Sequence, residues 1–483
     1  MRWVFGALLA AATTGCVVNP VTGQRELLLM SESQEAEQGK AADEQIVAQY
    51  GLVEDPQLQA YVEEVGTRLV AVSHKPDLAF TFRILDDPIV NAFALPGGYV
   101  YLTRGILPYL ESEAGMAGVL GHEIGHVTAR HGASRATKQI LLQGTLGVAG
   151  VLSERLASAV GVLGAAANLL LLKYSRDDER QSDQLGVEYA TAAGYDTRDM
   201  ARFFAVLSAL SPEGGGIPSW VSTHPDPGER DQTVQRLTAE AQQARGTGPY
   251  AARRDEFLAR VDGLVFGQDP QQGYVANGRF LHPQLRLQFP APNGWSVENG
   301  RSQVTLSSPE GDMAVIFAQA EGASPQAAAE AFASTEGIEV QQRGDLTING
   351  FPAHRLVAAA RTQQGQLGIT STFLAKDGRV WAFHGISEAA GHAAAQPTLV
   401  SVPDGFAALD DPQALAVQPV VVRVVELPQP GTIEQVAQAW PIPPQAGVDV
   451  NHLALLNGVS PGTQLEAGRK VKVLVQGKGS GKK

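Results

Sequence analysis

Apolar and polar positions in the first hundred residues follow two different rhythms. From 31 to 72 apolar residues recur at three- and four-residue spacing, which predicts two amphipathic helices. One is capped by Ser31 or Ser33 and runs to about Tyr50, its early glutamates suiting the helix dipole; the other spans roughly Asp55 to Val72. Short strand-like runs follow at 80–85, 90–95 and 99–103, the last two joined by a turn at Pro96, Gly97 and Gly98, and this hairpin-like sheet leads into a helix capped by Ser112. The third strand alternates, leaving one face for a core. If it or its neighbour is a sheet edge, it offers unpaired backbone to an extended peptide, with Asn91, Ala92 and Phe93 as the candidate substrate strand; an ordinary interior hairpin fits the pattern equally.

Residues 141–172 are rich in Ala, Gly and Leu. The pair Glu154-Arg155 leaves an uncharged run at 156–172, short of the roughly 20 residues that span a bilayer, so buried or mobile helices beside the site are expected rather than a membrane span. A polar, acidic helix follows over 174–190. Beyond about Gly263 the composition changes: a linker at 270–280, then strands near 285–289, 303–307 and 313–317, a helix at 324–333, and strands at 338–343, 354–361, 369–374 and 379–384. This reads as a small α+β domain over 281–402 with no clustered metal ligands and no assigned chemistry. After an Asp-, Pro- and Ala-rich break at 403–418, the runs at 420–426, 432–437, 452–458 and 465–473 give strand, helix, helix, strand within a module at 419–475. A Gly/Lys tail at 476–483 is expected to be disordered.

With 483 residues the chain is long enough for two to four domains, and its net charge of −13 argues against nucleic acid as a partner. The single cysteine rules out an internal disulfide. Arg2, the apolar run 3–12 and small residues up to Gly15 have the form of an export signal over 1–15, and Cys16 stands where lipoprotein signals place the lipidated residue. Thr13 occupies the position where Leu is usual, and a plain secretory signal with a buried Cys16 is the alternative. Val17 in place of Asp favours the outer membrane, facing the periplasm, with residues 16–30 as an extended, lipidated tether.

The chemistry concentrates at His122-Glu123-Ile124-Gly125-His126. On a helix His126 lies about 40° round from His122 and Glu123 flanks both, so two imidazoles and a carboxylate converge. Such a set can hold zinc while the unligated glutamate takes a proton from a water that the metal has acidified. Downstream, Glu179, Asp183, Gly186 and Ala190 share one helical face, two carboxylates heading a run of small residues that permits close approach to the His helix. Glu179 suits a third ligand, and Asp183, one turn on, the N–H of a liganding imidazole. His131, about 140° from His126 on a continuous helix, cannot share its metal and is expected to be structural.

His122-Glu123-x-x-His126 with Glu179-x-x-x-Asp183 resembles the zinc metallopeptidase family that includes the HtpX heat-shock protease, the CAAX prenyl endopeptidase and the periplasmic BepA-type proteases. The stretches 91–98, 223–230 (Thr223-His224-Pro225-x-Pro227-x-x-Arg230) and 19–26 also resemble that family, so the likeness covers about residues 17–265. It implies a mainly α, zincin-type (gluzincin-like) domain at 31–265 with a small β-sheet, and one zinc ion on His122, His126 and Glu179. It further implies Glu123 as general base then acid, Asp183 supporting a ligand, His224 as brake or catalytic aid, and Arg230 assisting. The 281–402 domain loosely resembles PsbP-like domains and 419–475 a LysM module, which implies peptidoglycan as a partner. The expected protein is a membrane-anchored endopeptidase acting on polypeptides in periplasmic and outer-membrane quality control. A chaperone or assembly factor with a blocked site, or a cell-wall-binding protein, are the alternatives.

Overall fold

A computed structural model describes residues 16–146, 173–210, 220, 223–224, 229–246, 248–362 and 365–479. The expected signal at 1–15, most of the Ala/Gly-rich run at 141–172, Pro225, Pro227 and the last four residues of the tail lie outside the described residues.

The chain opens on a small antiparallel hairpin, β1 (Cys16–Val18) and β2 (Arg25–Leu27). Residues 16–30 are therefore not an extended tether. Asn19 turns the chain by accepting at Oδ1 from the amides of Val21 and Thr22, and its Nδ2 donates to the carbonyl of Ala129, 3.1 Å away. Two helices follow, α1 (Glu32–Tyr50), closed by a capping box on Ser31, and α2 (Pro56–Val70), capped by Asp55 with proline in its first turn.

The small sheet comprises β3 (Thr81–Leu85), β4 (Ala92–Leu95) and β5 (Tyr99–Thr103) in the order β3-β5-β4. The third strand is thus central, parallel to β3 and antiparallel to β4, and it shows no alternation because Val100 to Thr103 are all buried. Among the described residues strand β4 is an edge. Next comes α3 (Glu113–Thr128), with Ser112 capping the Gly115 amide, then α4 (His131–Leu146), α5 (Arg176–Ala192), α6 (Arg198–Ala209), α7 (Arg230–Arg245) and α8 (Arg254–Val261). Helices α3 and α4 are not continuous: Arg130 adopts φ 57 and breaks them apart.

After β6 (Val265–Phe266), the stretch expected as a linker is structured. It supplies β7 (Tyr274–Ala276) and the start of β8 (Arg279–His282), a hairpin that joins β9 (Leu287–Pro290) and β17 (Ala407–Ala408) in a four-stranded sheet. Beside it a seven-stranded antiparallel sheet runs β10 (Ser296–Asn299), β11 (Gln303–Ser307), β12 (Met313–Ala320), β16 (Arg379–Glu388), β15 (Gly365–Lys376), β14 (Phe351–Thr362) and β13 (Ile338–Ile348) in spatial order. Helices α9 (Pro325–Ala333), capped by Ser324, and α10 (His392–Asp404) pack on this sheet.

The last unit is β18 (Val420–Glu426), α11 (Ile433–Ala439), α12 (Val450–Leu456) and β19 (Lys470–Gln476). Its strand–helix–helix–strand order matches the sequence reading, but the unit is not separate. Strand β18 also pairs with β6, and Val422, Leu453 and Val473 join one hydrophobic core with Leu120, Phe204 and Leu258 of the N-terminal helices. The fully buried Lys472 donates from Nζ to the carbonyls of Pro108 (2.8 Å) and Leu110 (2.7 Å) and pairs with Glu111 (2.7 Å), just before α3 begins. Among the described residues no helix is long and apolar enough to cross a membrane.

Candidate active site

Helix α3 carries glycine at 115, 118, 121 and 125, and α5 carries Gly186 opposite. A Cβ on Gly121 would lie 3.0 Å from the Gly186 carbonyl, and one on Gly186 would lie 2.9 Å from the His122 amide. The two helices therefore touch backbone to backbone, which the small-residue face of α5 led us to expect. This contact brings the carboxylates of α5 onto the histidines of α3.

The result is a buried cluster in which ligand atoms of His122, His126, Glu179 and His224 all lie within 4.8 Å of one another. His122 Nε2 is 3.0 Å from His126 Nε2 and 3.6 Å from Glu179 Oε2; His126 Nε2 is 3.4 Å from Glu179 Oε1. Two imidazole nitrogens at that distance repel when both present lone pairs, unless a proton or a metal cation lies between them. The outer contacts orient both lone pairs inward. Asp183 Oδ1 lies 3.0 Å from His122 Nδ1 and accepts its N–H, leaving Nε2 as the lone-pair atom. For His126 the chain of contacts is longer: Gln181 Oε1 is 2.9 Å from His131 Nε2, and His131 Nδ1 is 2.9 Å from His126 Nδ1. With Gln181 accepting, His131 donates from Nε2 and accepts at Nδ1, so His126 donates from Nδ1 and its Nε2 is free to ligate.

Electrostatics agree with a metal site. Burial lowers the pKa of His122, and that of His126 well below its usual value, keeping both neutral as ligands must be. Burial alone would raise Glu179, but the charges of His224 and Arg230 outweigh it and hold the carboxyl well below the ordinary range. Arg230, fully enclosed at the start of α7, grips Asp183 through Nε (2.9 Å) and Nη2 (2.6 Å) and places Nη1 2.9 Å from Glu179 Oε2. It braces two acidic groups of the cluster from behind. Glu123 is wholly buried beside them, and burial pushes its carboxyl up to about 7. Neither of its oxygens has a hydrogen-bond partner among the described residues. A donor set of imidazoles and one ionised carboxylate, next to a partnerless second carboxylate, fits a divalent metal with a base at its side.

His224 belongs to the same cluster. Its Nδ1 is 2.8 Å from Glu179 Oε1 and 3.3 Å from His122 Nε2, and its Nε2 is 3.6 Å from Glu123 Oε1. Trp220 stacks on it with ring centroids 4.3 Å apart. From the other side Tyr174 stacks on His126 at 3.8 Å, and its amide donates to the Thr223 carbonyl. The cluster is covered by aromatic rings.

Of the candidate substrate strand, Asn91 precedes the edge strand β4, and its buried Oδ1 has no hydrogen-bond partner. Ala92 is buried, and Phe93 turns inward to stack on Tyr101 at 4.7 Å, so only its backbone faces the free edge. Sequence reasoning missed His131, Gln181, Trp220 and Tyr174. The wheel angle for His131 assumed an unbroken helix. The left-handed turn at Arg130 carries the His131 ring to within 2.9 Å of His126 Nδ1, and its own nitrogens are not among the clustered ligand atoms. Gln181 followed from no spacing rule, and neither did Trp220, whose ring lies against His224.

Comparison with known proteins agrees with this geometry. The sequence model of Peptidase family M48 matches residues 56–238. The mitochondrial metalloendopeptidase OMA1 of Schizosaccharomyces pombe is 32% identical over 260 residues, covering 51% of this chain and 74% of that protein. A putative β-barrel assembly-enhancing protease of Vibrio cholerae is 32% identical over 44% of each chain, and the β-barrel assembly-enhancing protease of Escherichia coli is 28% identical over 57% of this chain and 63% of its own length. This chain thus spans less than two thirds of the length of these bacterial relatives. The solution structure of cyanobacterial PsbP from Synechocystis sp. PCC 6803 matches 28% of this chain at 15% identity with a TM-score of 0.23, too low to assign the fold of the α+β unit. With the helices that carry His122, His126 and Glu179 inside the matched residues 56–238, and an alignment at 32% identity that covers 74% of OMA1, the chain belongs to peptidase family M48 and is a metalloendopeptidase.

Proposed function

We propose that the protein is a zinc-dependent endopeptidase of the bacterial envelope, anchored through a lipid on Cys16, that cleaves non-native periplasmic and outer-membrane polypeptides. The observation that carries the catalytic reading is the buried convergence of His122, His126 and Glu179 beside the partnerless carboxylate of Glu123. Zinc bound there supplies a Lewis acid that polarises the scissile carbonyl and acidifies water. Glu123, with its carboxyl held near neutrality, takes the proton of the attacking water and hands it to the leaving amine. Asp183 and His131 keep the ligand histidines in the required tautomer, and Arg230 fixes Asp183 and Glu179 without reaching the substrate. The edge strand β4 receives the substrate backbone. The envelope location is supported by the export-type N-terminus and by the assembly-enhancing proteases among the relatives. The C-terminal unit is read as LysM-like from its element order, with peptidoglycan as a candidate partner.

His224 is proposed as a brake. Its Nδ1 lies among the ligand atoms, where a fourth donor would displace water, and this favours a protease that rests closed, consistent also with a chaperone-like role between openings. Metal content and casein cleavage of the wild type and Glu123→Gln test the catalytic reading. Zinc retained with cleavage abolished is expected; a variant as active as wild type would overturn it.

A further inference from the structure

The N-terminal peptidase unit and the α+β unit meet across a cleft of about 740 Å³, within the range of pockets that hold ligands and at the kind of junction where they occur. We propose that this cleft is an exosite for the substrate polypeptide, holding the stretch C-terminal to the residues that pair with β4. The inference rests on β4 as the substrate strand.

Direction and reach come from the sheet. Strand β4 runs from Ala92 to Leu95 with its outer edge unpaired by any described strand. A peptide adding antiparallel to that edge travels from Leu95 towards Ala92 and leaves past residues 86–91. Asp86, at the far end of that segment, lines the cleft. It stands six positions before Ala92, so at most about 20 Å separates them, a distance that about six extended residues cross.

The lining suits a polypeptide of no fixed sequence. The α+β unit contributes the side-chain amides of Asn299, Gln303 and Gln319, which can donate to and accept from a peptide backbone. Asn299 donates from Nδ2 to the carbonyls of Gln272 and Gly273, while its buried Oδ1 has no partner among the described residues and is ready for an N–H. Beneath them Phe317 and Trp381, stacked at 5.3 Å, form an apolar floor for one hydrophobic side chain. Two acidic groups of the lining are already matched by arginine, Asp86 by Arg104 (2.7 Å) and Arg301 (3.2 Å) and Glu54 by Arg301 (3.4 Å), while Asp269 accepts from the Gln271 amide. Arg379 at the rim makes no ion pair among the described residues, which leaves that end of the cleft open to an acidic residue or a terminal carboxylate.

The experiment uses the full chain and a peptide series with one cleavage site whose C-terminal flank grows from about two to about ten residues. KM and kcat are measured for wild type and for Gln319→Trp, which fills the cleft from an exposed position. In the wild type KM is expected to fall on the order of tenfold once the flank passes about six residues, with kcat steady. In Gln319→Trp, KM stays flat, and both proteins treat the shortest peptide alike. Equal length dependence in the two proteins, or a dependence on the N-terminal flank instead, would overturn the proposal. Fluorescence anisotropy of the same peptides on Glu123→Gln reads the exosite without cleavage. If no peptide is cut but long peptides still bind more tightly than short ones only in the Gln319 form, the peptidase reading fails and the exosite stands. Equal binding of long and short peptides, or binding of an N-acetyl-sugar oligomer in their place, removes the exosite.

Discussion

Replacing Lys472 with methionine strips the ammonium from the seam between the C-terminal unit and the start of the catalytic helix. Lys472 is fully buried and satisfies three acceptors at once, the carbonyls of Pro108 and Leu110 and the carboxylate of Glu111. After the substitution Glu111 keeps, among the described residues, only the ion pair with Arg254, at 3.3 Å. Breaking a buried ion pair costs about 3–5 kcal/mol. The stranded carbonyls add roughly 1–2 kcal/mol, and methionine returns about 1 kcal/mol through apolar burial. The expected loss is therefore about 4 kcal/mol, a large share of the stability of most domains. Because Ser112 caps α3 directly after this segment, His122 and His126 should lose their alignment along with the seam. Urea unfolding followed by circular dichroism, with casein cleavage alongside, reads both effects. Removing both charges in Lys472→Met/Glu111→Leu should recover most of the loss, since neither group is then left buried alone. A single variant destabilised by less than about 1 kcal/mol, or a double variant no better than the single, would refute the reasoning.

Three further expectations are quicker to check. His131→Ala removes the group that fixes the tautomer of His126, so zinc affinity should drop by about 10- to 100-fold in a chelator competition; an unchanged affinity would make His131 merely structural. His224→Ala should raise the rate of casein cleavage if that ring rests among the ligands as a brake, whereas a fall would recast it as a catalytic aid. His384, buried against Phe332 and 2.8 Å from Ser371 Oγ, has its pKa lowered by burial to about 4. The unfolded chain binds its proton near pH 6.5 and the folded one does not, so the α+β unit keeps its full stability above pH 6.5 and loses it as pH falls towards 4. Between pH 7.5 and 5 this amounts to about 2 kcal/mol in urea unfolding, and His384→Gln should lack that slope.

Much of the catalytic geometry is periodic and so was legible. His122, Glu123 and His126 lie on one helix, Glu179 and Asp183 on another, and spacing of 3.6 residues per turn sets each pair. The small-residue face of α5, with Gly186 on it, was readable for the same reason, while the facing glycines of α3 were not singled out. What escaped depends on breaks in periodicity. Arg130 in a left-handed conformation turns His131 back on His126, and no residue type at that position announces it, since Gly or Asn is the usual choice there. The hairpin at 16–27 has strands of three residues, too short for alternation to show, and only the Asn19 turn hinted at it. Residues 270–280 looked like a linker because Pro270, Gly273 and Gly278 punctuate them, yet Phe280, just after the last of these, fills the core of the α+β unit. The fusion of the C-terminal unit with the peptidase core is a long-range matter, resting on β6 pairing with β18 and on one buried lysine. Sequence periodicity reports which face of an element is buried but not against what.

The central claim is that His122, His126 and Glu179 hold a metal for which Glu123 is the base. It is tested most directly by zinc content and casein cleavage in wild type and His224→Ala, each with and without Glu123→Gln. The account predicts about one zinc per chain in all four proteins, and a loss of cleavage of about 10²- to 10⁴-fold wherever Glu123 is replaced. Cleavage that survives Glu123→Gln, or protein that binds no zinc when active, would contradict it.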